Sequence, residues 1–267
     1  MSTTPNPLAY STPALPEGAK MKISPSSFAK FIESPHVWYR TQILKEDPFS
    51  HNTSTVIGTI VHYCAEMVSK GEEVDKKAIE EYIDSWDLHD DYDPRVVRQD
   101  YPAMAETLVN DYVIRHDMIE AEVQHMVELI DGYYAGGTLD RLEGLVDDCM
   151  IVDYKTYNSK TKPKAIPAYY KYQLLVYAYI LRMLGYTVTR IRLVYVNRNI
   201  DGGISEKTGK PLKSYPPEVT VLTESITEDD FDFIEDLLEL CVDSVKATEK
   251  HPELTHIIWH DARLKQE

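Results

Sequence analysis

Cysteine is scarce in this sequence, and the three present, Cys64, Cys149 and Cys241, stand far apart without any CxxC spacing. That pattern argues against a disulfide framework or a zinc ribbon and for three buried thiols. Long apolar runs are missing too, since none approaches the roughly 20 residues that a membrane span needs. The opening stretch MSTTPNPLAYSTPALPEGAK has neither the basic nor the apolar region of a signal peptide. The chain is therefore expected in a cytoplasm, away from membranes. No internal repeat is visible, which sets aside solenoids and propellers. Positive charge is in short supply: 28 Lys and Arg stand against 44 Asp and Glu, for a formal charge of −16. Taken as an average, that balance argues against a nucleic-acid partner, because phosphate binding rests on Lys and Arg.

The average hides an asymmetry. Residues 154–215 hold twelve basic side chains against only Asp201 and Glu206, so this stretch carries +10 and the rest of the chain −26. A basic run of this kind is as often plain solvation as a phosphate-binding face. With 43% hydrophobic residues in a chain of 267, there is enough apolar material for a real core. Residues 1–20, rich in Pro, Ser and Thr, read as a flexible tail, and 21–267 as a single domain.

Helical signals come first along the chain. Residues 24–44 open with Ser24 or Ser26 as N-cap and place Phe28, Phe31 and Ile32 at helical spacing, until Pro35 interrupts. After a polar loop at 47–54, residues 57–70 align Ile57, Val61, Cys64 and Val68 in one stripe with His62 and Glu66 beside it. Stretches 75–86 and 93–116 extend a helical flank. At Ala121 the period changes to two. Strands are predicted at 123–130 and 133–142 around an Asp131-Gly132 hairpin turn, then at 150–156 after a turn at 144–148. The last of these sets Ile151, Asp153 and Lys155 on one face and Val152 and Tyr154 on the other. A helix at 168–184 closed by Gly185, a buried strand at 190–196, a short strand at 219–222 and a closing helix from Thr227, with Asp230 completing a capping box, finish the pattern. The fold class that follows is α/β, a mixed central sheet flanked by helices. Residues 197–218, too polar to pack and long for an internal loop, are a candidate ligand-contacting element.

The chemistry concentrates at Asp140, Asp153 and Lys155. In MIVDYKT the alternation puts a carboxylate and an ammonium side by side at the end of an apolar strand, where neither is stable without a partner. Hairpin pairing across the 144–148 turn can bring Asp140 opposite Asp153. Two adjacent carboxylates repel, and a hard divalent cation relieves that repulsion. A bare DxK is nevertheless more often a buried salt bridge or an edge-strand charge pair.

Four segments taken in order, GTIVHYCAEM, GGTLDRLEG, IVDYKTY and YQLLVYAY, resemble the motifs of the RecB-like branch of the PD-(D/E)XK nucleases. The resemblance covers roughly residues 24–196. It implies that His62, Asp140 and Asp153, with the carbonyl of Tyr154, hold Mg²⁺ or Mn²⁺, and that Lys155 serves catalysis by orienting or deprotonating water and offsetting negative charge. Gln173 and Tyr177 match a QxxxY pair that the family uses near the active site and DNA. Tyr170, Tyr172 and Tyr179 on the same helix read as packing. Glu122 is similar to a glutamate often found ahead of the first core strand. Lys160, Lys162 and Lys164, with the 197–213 loop, are the expected phosphate-gripping residues. Several relatives hold an iron-sulfur cluster through one cysteine before the core and three after it. Here Ser34 stands where such relatives have Cys-Pro, and only Cys241 lies downstream, so no cluster is expected; the closing helix packed on the Phe28 and Phe31 segment would join the ends instead. The resemblance implies a metal-dependent DNA exonuclease in recombination, repair or replication, phage-type by its length, with DNA as partner and a recombination or replication protein as a further one. The rival expectation is a nuclease fold kept as a non-catalytic binding module.

Overall fold

The computed structural model describes residue 8 and residues 15–46, 52–86, 90–159, 161–199, 203–204, 207–210 and 213–260. Its centre is a six-stranded mixed sheet. A hairpin of β2 (Glu120–Ile130) and β3 (Tyr133–Leu145) turns at Asp131 and Gly132, whose φ values of 47° and 85° suit the right-handed twist of the paired strands. β4 (Asp148–Tyr157) returns antiparallel to β3, and β5 (Val188–Asn197) lies parallel to β4, with β6 (Val219–Ser225) antiparallel on its far side. Gly144 permits the tight β3–β4 return: its φ is 96°, and a Cβ there would lie 2.5 Å from the Asp148 carbonyl oxygen. A strand that the sequence pattern does not announce, β1 (Met21–Ile23), pairs in parallel with the start of β3.

The edges of β3 explain where the site forms. β2 runs along one edge from Tyr133 to Leu142. The other edge carries β1 at Tyr133 to Ala135 and β4 from Arg141 to Leu145, so residues 136–140 have no strand beside them there. The sheet forks at that gap.

Helices cover both faces because the strands alternate. Met150, Val152 and Tyr154 of β4 face a cluster built from α3 (Thr53–Lys70), α4 (Lys76–Asp84) and α5 (Pro94–Asp111). Cys149 and Ile151 face α6 (Ala168–Met183) on the other side. Local chemistry sets the helix limits. Asn52 and Thr55 form a capping box at the start of α3, and Gly71 ends it in the left-handed region at φ 72°. Thr227 and Asp230 form the expected box on α7 (Glu228–Lys250). The expected helix at 24–44 is in fact α1 (Pro25–Glu33), capped by Ser24, then α2 (Pro35–Trp38) and a π-helical turn at Tyr39–Ile43. Pro35 starts the second piece, as a residue without an amide hydrogen can only do in a first turn.

The first and last long helices, α1 and α7, meet in one cluster. Ile234, Leu238 and Cys241 of α7 share a cluster with Phe28 and Phe31. Beyond the short α8 (Thr255–Ile258), the fully buried Trp259 stacks on Trp38 at 5.5 Å and on Tyr39 at 4.8 Å. Truncating such an aromatic side chain costs about 3–5 kcal/mol. The expected tail is not free throughout: Leu8 is buried in the α3 cluster, and the Lys20 amide donates to the Gly132 carbonyl at 2.8 Å. The rest of residues 1–14 lies outside the described residues. All three cysteines are buried and free. Among the described residues, no helix is long and apolar enough to cross a membrane.

Candidate functional site

At the fork, backbone groups that would have paired strand to strand find side-chain partners instead. Arg141 and Val152 are the last residues in register; Asp140 and Asp153, one step on, are not paired. The Tyr154 amide, freed from the ladder, donates to Asp140 Oδ2 at 2.7 Å. The Thr138 carbonyl accepts from the Tyr177 hydroxyl of α6. Gly137 makes room for this closure, because a Cβ there would lie 2.9 Å from both Pro25 Cδ and the Tyr177 hydroxyl.

Side chains from five elements, α3, α6, β2, β3 and β4, converge on the gap. His62 of α3 places Nδ1 3.3 Å from Asp140 Oδ2. Lys155 Nζ lies 2.6 Å from Asp153 Oδ2, and Gln173 Nε2 donates to Asp153 Oδ1 at 3.0 Å. The amide of Gln173 thus fixes the Asp153 carboxylate from the α6 side. Lys155 also lies over the Tyr170 ring, 5.0 Å from its centroid. The third carboxylate belongs to Glu122 on β2. Ligand atoms of His62, Glu122 and Asp140 all lie within 4.8 Å of one another. Glu122 adopts φ 52° and is skipped in the ladder, between the pairs Ala121 with Arg141 and Val123 with Leu139. A bulky residue holds that conformation only where its surroundings enforce it, and such strain concentrates at functional sites.

The electrostatics are unbalanced towards negative charge. Burial and then the neighbouring Asp140 push the Glu122 carboxyl up to about 10. Burial likewise raises Asp153 to about 6, although Lys155 works against the rise. For Asp140, burial is outweighed by His62, with Lys155 and the Tyr154 amide adding to it, and its carboxyl stays below the usual range. For His62, burial would favour the neutral ring, but Asp140 outweighs it and raises the imidazole. Lys155 is raised despite burial, by Asp153 and Asp140. Three carboxylates against one ammonium and one imidazole leave a deficit that a cation would meet. Two carboxylates and an imidazole are a donor set that fits Mg²⁺ or Mn²⁺, and among the described residues Glu122 has no hydrogen-bond or ion-pair partner of its own.

The close three-residue set therefore contains Glu122 where the sequence pointed to Asp153, which is held by Lys155 and Gln173. Tyr154 contributes its amide to Asp140, and its ring packs edge-on to His62 at 5.9 Å. Tyr170 does more than pack, since it carries the Lys155 contact. Tyr172 packs near Phe233, and the Tyr179 hydroxyl donates to Glu235. Lys164 is exposed, Lys162 is paired with Glu218 at 2.5 Å, and Lys160 lies outside the described residues.

The segregation of charge along the chain does not survive folding. Within the basic stretch, Lys155, Lys162, Lys171, Arg182, Arg190, Arg192 and Arg198 each meet a carboxylate, on Asp153, Glu218, Asp230, Glu228, Asp148, Glu143 and Asp100 respectively. All seven of these acids lie outside the stretch. The remaining basic residues here with no acidic partner among the described residues are Lys164, Lys207, Lys210 and Lys213, all exposed and all in the two loops that follow β4 and β5.

The family model described as the PD-(D/E)XK nuclease superfamily matches residues 22–253. No curated protein matches the chain. Among solved structures, a putative exonuclease from Eubacterium rectale superposes with a TM-score of 0.51 at 13% identity, over 86% of this chain and 81% of its own. An alkaline exonuclease from Laribacter hongkongensis superposes with a TM-score of 0.33 at 11% identity, over 74% of this chain and 95% of its own. The first has a similar fold; the second is superposed too loosely to add to that.

Proposed function

The chain belongs to the PD-(D/E)XK nuclease superfamily, and we propose that it is a metal-dependent DNA exonuclease acting in recombination, repair or replication. The observation that carries this reading is the fork between β3 and β4, where His62, Glu122 and Asp140 come within 4.8 Å of one another beside the Asp153 and Lys155 pair. His62, Glu122, Asp140 and Asp153, with the Tyr154 carbonyl, would hold Mg²⁺ or Mn²⁺. The bound ion would supply Lewis acidity and charge neutralisation for phosphodiester hydrolysis.

The remaining work falls to the chain itself. Lys155, held by Asp153 and the Tyr170 ring, presents a positive charge to the phosphate and can orient the attacking water. Gln173 keeps Asp153 in one rotamer, so the lysine it anchors is placed before substrate arrives. Tyr177 ties α6 to the free carbonyl of Thr138 and keeps the gap from closing into an ordinary sheet.

Digestion of end-labelled linear DNA and of closed circles, with Mg²⁺, Mn²⁺ or a chelator, tests the reading. Metal-dependent release of mononucleotides from ends, with circles intact, is expected. Nicking of circles would make the enzyme an endonuclease. DNA binding without any cleavage would make the fold a non-catalytic module.

A further inference from the structure

Beside the Lys155 side chain runs a group of tyrosines. Tyr157 meets Tyr195 edge to face at 5.8 Å, Tyr195 neighbours Tyr170 at 6.5 Å, and Tyr170 meets Tyr169 at 5.5 Å. Tyr195 is buried as the base of the group, whereas Tyr157, Tyr169 and Tyr170 are each partly exposed. Tyr169 and Tyr170 directly follow residues 161–167, which carry Lys164, a lysine with no acidic partner among the described residues. A second observation concerns arginine. All nine arginines among the described residues are ion-paired with a carboxylate of this chain. None is left to grip phosphates in the planar, two-pronged way that arginine permits.

Resting on the nuclease reading, we infer that Tyr157, Tyr169 and Tyr170 form a stacking platform for the bases of an unpaired strand, so that the site receives single-stranded DNA or the unwound end of a duplex. In an intact duplex the base faces are stacked on one another, and the exposed parts of the tyrosine rings beside the site would have no base face to meet. An unpaired strand offers one aromatic face per nucleotide, to any aromatic side chain and in any sequence. Flexible lysines at the loop ends then suffice for the backbone. The orders of magnitude favour stacking: each stacked base strengthens binding by about tenfold or more, while isolated surface lysines are screened by salt.

The test is equilibrium binding in Ca²⁺ to fluorescent 12-mers of two kinds, oligo(dT) and an abasic strand of the same phosphodiester length. Wild type is expected to bind oligo(dT) at least tenfold tighter than the abasic strand. A Tyr157→Leu, Tyr169→Leu double variant, which keeps apolar bulk but loses the π faces, should bind both strands alike, and the Phe, Phe double variant should keep the wild-type preference. Equal affinity of wild type for the two strands, or equal behaviour of the Leu and Phe variants, would overturn the inference. If the Leu variant does not fold, the wild-type comparison with the abasic strand still decides. The nuclease reading is tested separately by cleavage in Mn²⁺: a protein that prefers oligo(dT) but cuts no DNA keeps the platform and loses the nuclease. One that cuts single and duplex ends alike, with no preference for bases, keeps the nuclease and loses the platform.

Discussion

Two buried charged clusters sit on the same strand, one residue apart, and they are built on opposite plans. Arg141, on β3, donates to Glu143 at 2.8 Å, to Ser69 of α3 at 3.2 Å and to the His116 carbonyl. Glu143 also accepts from Tyr112 at 3.1 Å and from Arg192 of β5 at 3.3 Å. Every charged group in that cluster has an ion-pair partner, the two guanidiniums sharing Glu143, and the network braces α3 and the end of α5 against the sheet. Asp140, the preceding residue, belongs to the cluster at the fork, where carboxylates outnumber cations and Glu122 has no partner among the described residues. A closed network serves the fold, whereas an open one, costly to maintain, marks a site where something else is meant to bind.

The largest test of that contrast makes the same change in both places. Glu143→Gln leaves the buried Arg141 guanidinium and the partly exposed Arg192 without a counter-charge and is expected to cost about 3–5 kcal/mol. At this chain length that corresponds to a fall in Tm of about 6–20 °C. Asp153→Asn is expected to leave the metal-free protein at least as stable as wild type at pH 8. The sign follows from the Asp153 carboxyl, raised from 3.8 to about 6: the folded state holds that proton more tightly, so wild type loses stability as pH rises through this window, and the amide does not. Thermal unfolding at pH 8 reads both. Similar losses for the two variants would mean that the fork is as structural as the Arg141 network.

Next in size is the effect of Lys155. Its ammonium offsets charge rather than holding an ion, so Lys155→Ala should lower DNA cleavage by about 10²-fold while Mn²⁺ binding survives or tightens. Single-turnover cleavage and Mn²⁺ titration separate the two. Undiminished cleavage would remove Lys155 from the reaction.

The contrast also shows which parts of the molecule could be read from the chain. α3, α6, α7 and the β2 to β5 strands announce themselves through a period of 3.6 or 2 or an apolar run, marked off by Asp131-Gly132, Gly185 or Thr227, although α3 begins at Thr53 and not at the expected 57. The alternation in MIVDYKT places Asp153 and Lys155 on one face, as the structure has them. β1 could not be read, since three residues are too few for a period. Nor could the fork, because where strands stop pairing depends on what packs in the gap, here Tyr177 and Pro25 against Gly137. Glu122 came only from the family resemblance and not from the strand pattern, for a related reason: its φ of 52° takes it out of the alternation that a strand reading assumes. Charge was the most misleading signal, because the acids that neutralise Arg198, Arg192 and Arg182 lie at positions 100, 143 and 228. Long-range pairing is invisible to a count along the chain.

The smallest expected effect sharpens the comparison most, because it concerns a single proton. Burial and the adjacent Asp140 raise the Glu122 carboxyl from 4.5 to about 10. The folded protein therefore keeps this proton through a range in which the unfolded chain has released it, and the metal-free protein loses stability as pH climbs from about 5 towards 10. Glu122→Gln cannot titrate and should flatten that decline. A divalent cation reverses the demand, because it needs the carboxylate form. Mn²⁺ binding at pH 7 should then expel about one proton from the wild type, read by titration calorimetry in two buffers of different ionisation enthalpy. Glu122→Gln should expel almost none and bind more weakly. If the variant releases as many protons as the wild type, the proton belongs to another group of the fork, with Asp153 next in line, and the ligand set would be the one that the sequence pattern suggests, with Glu122 as a bystander.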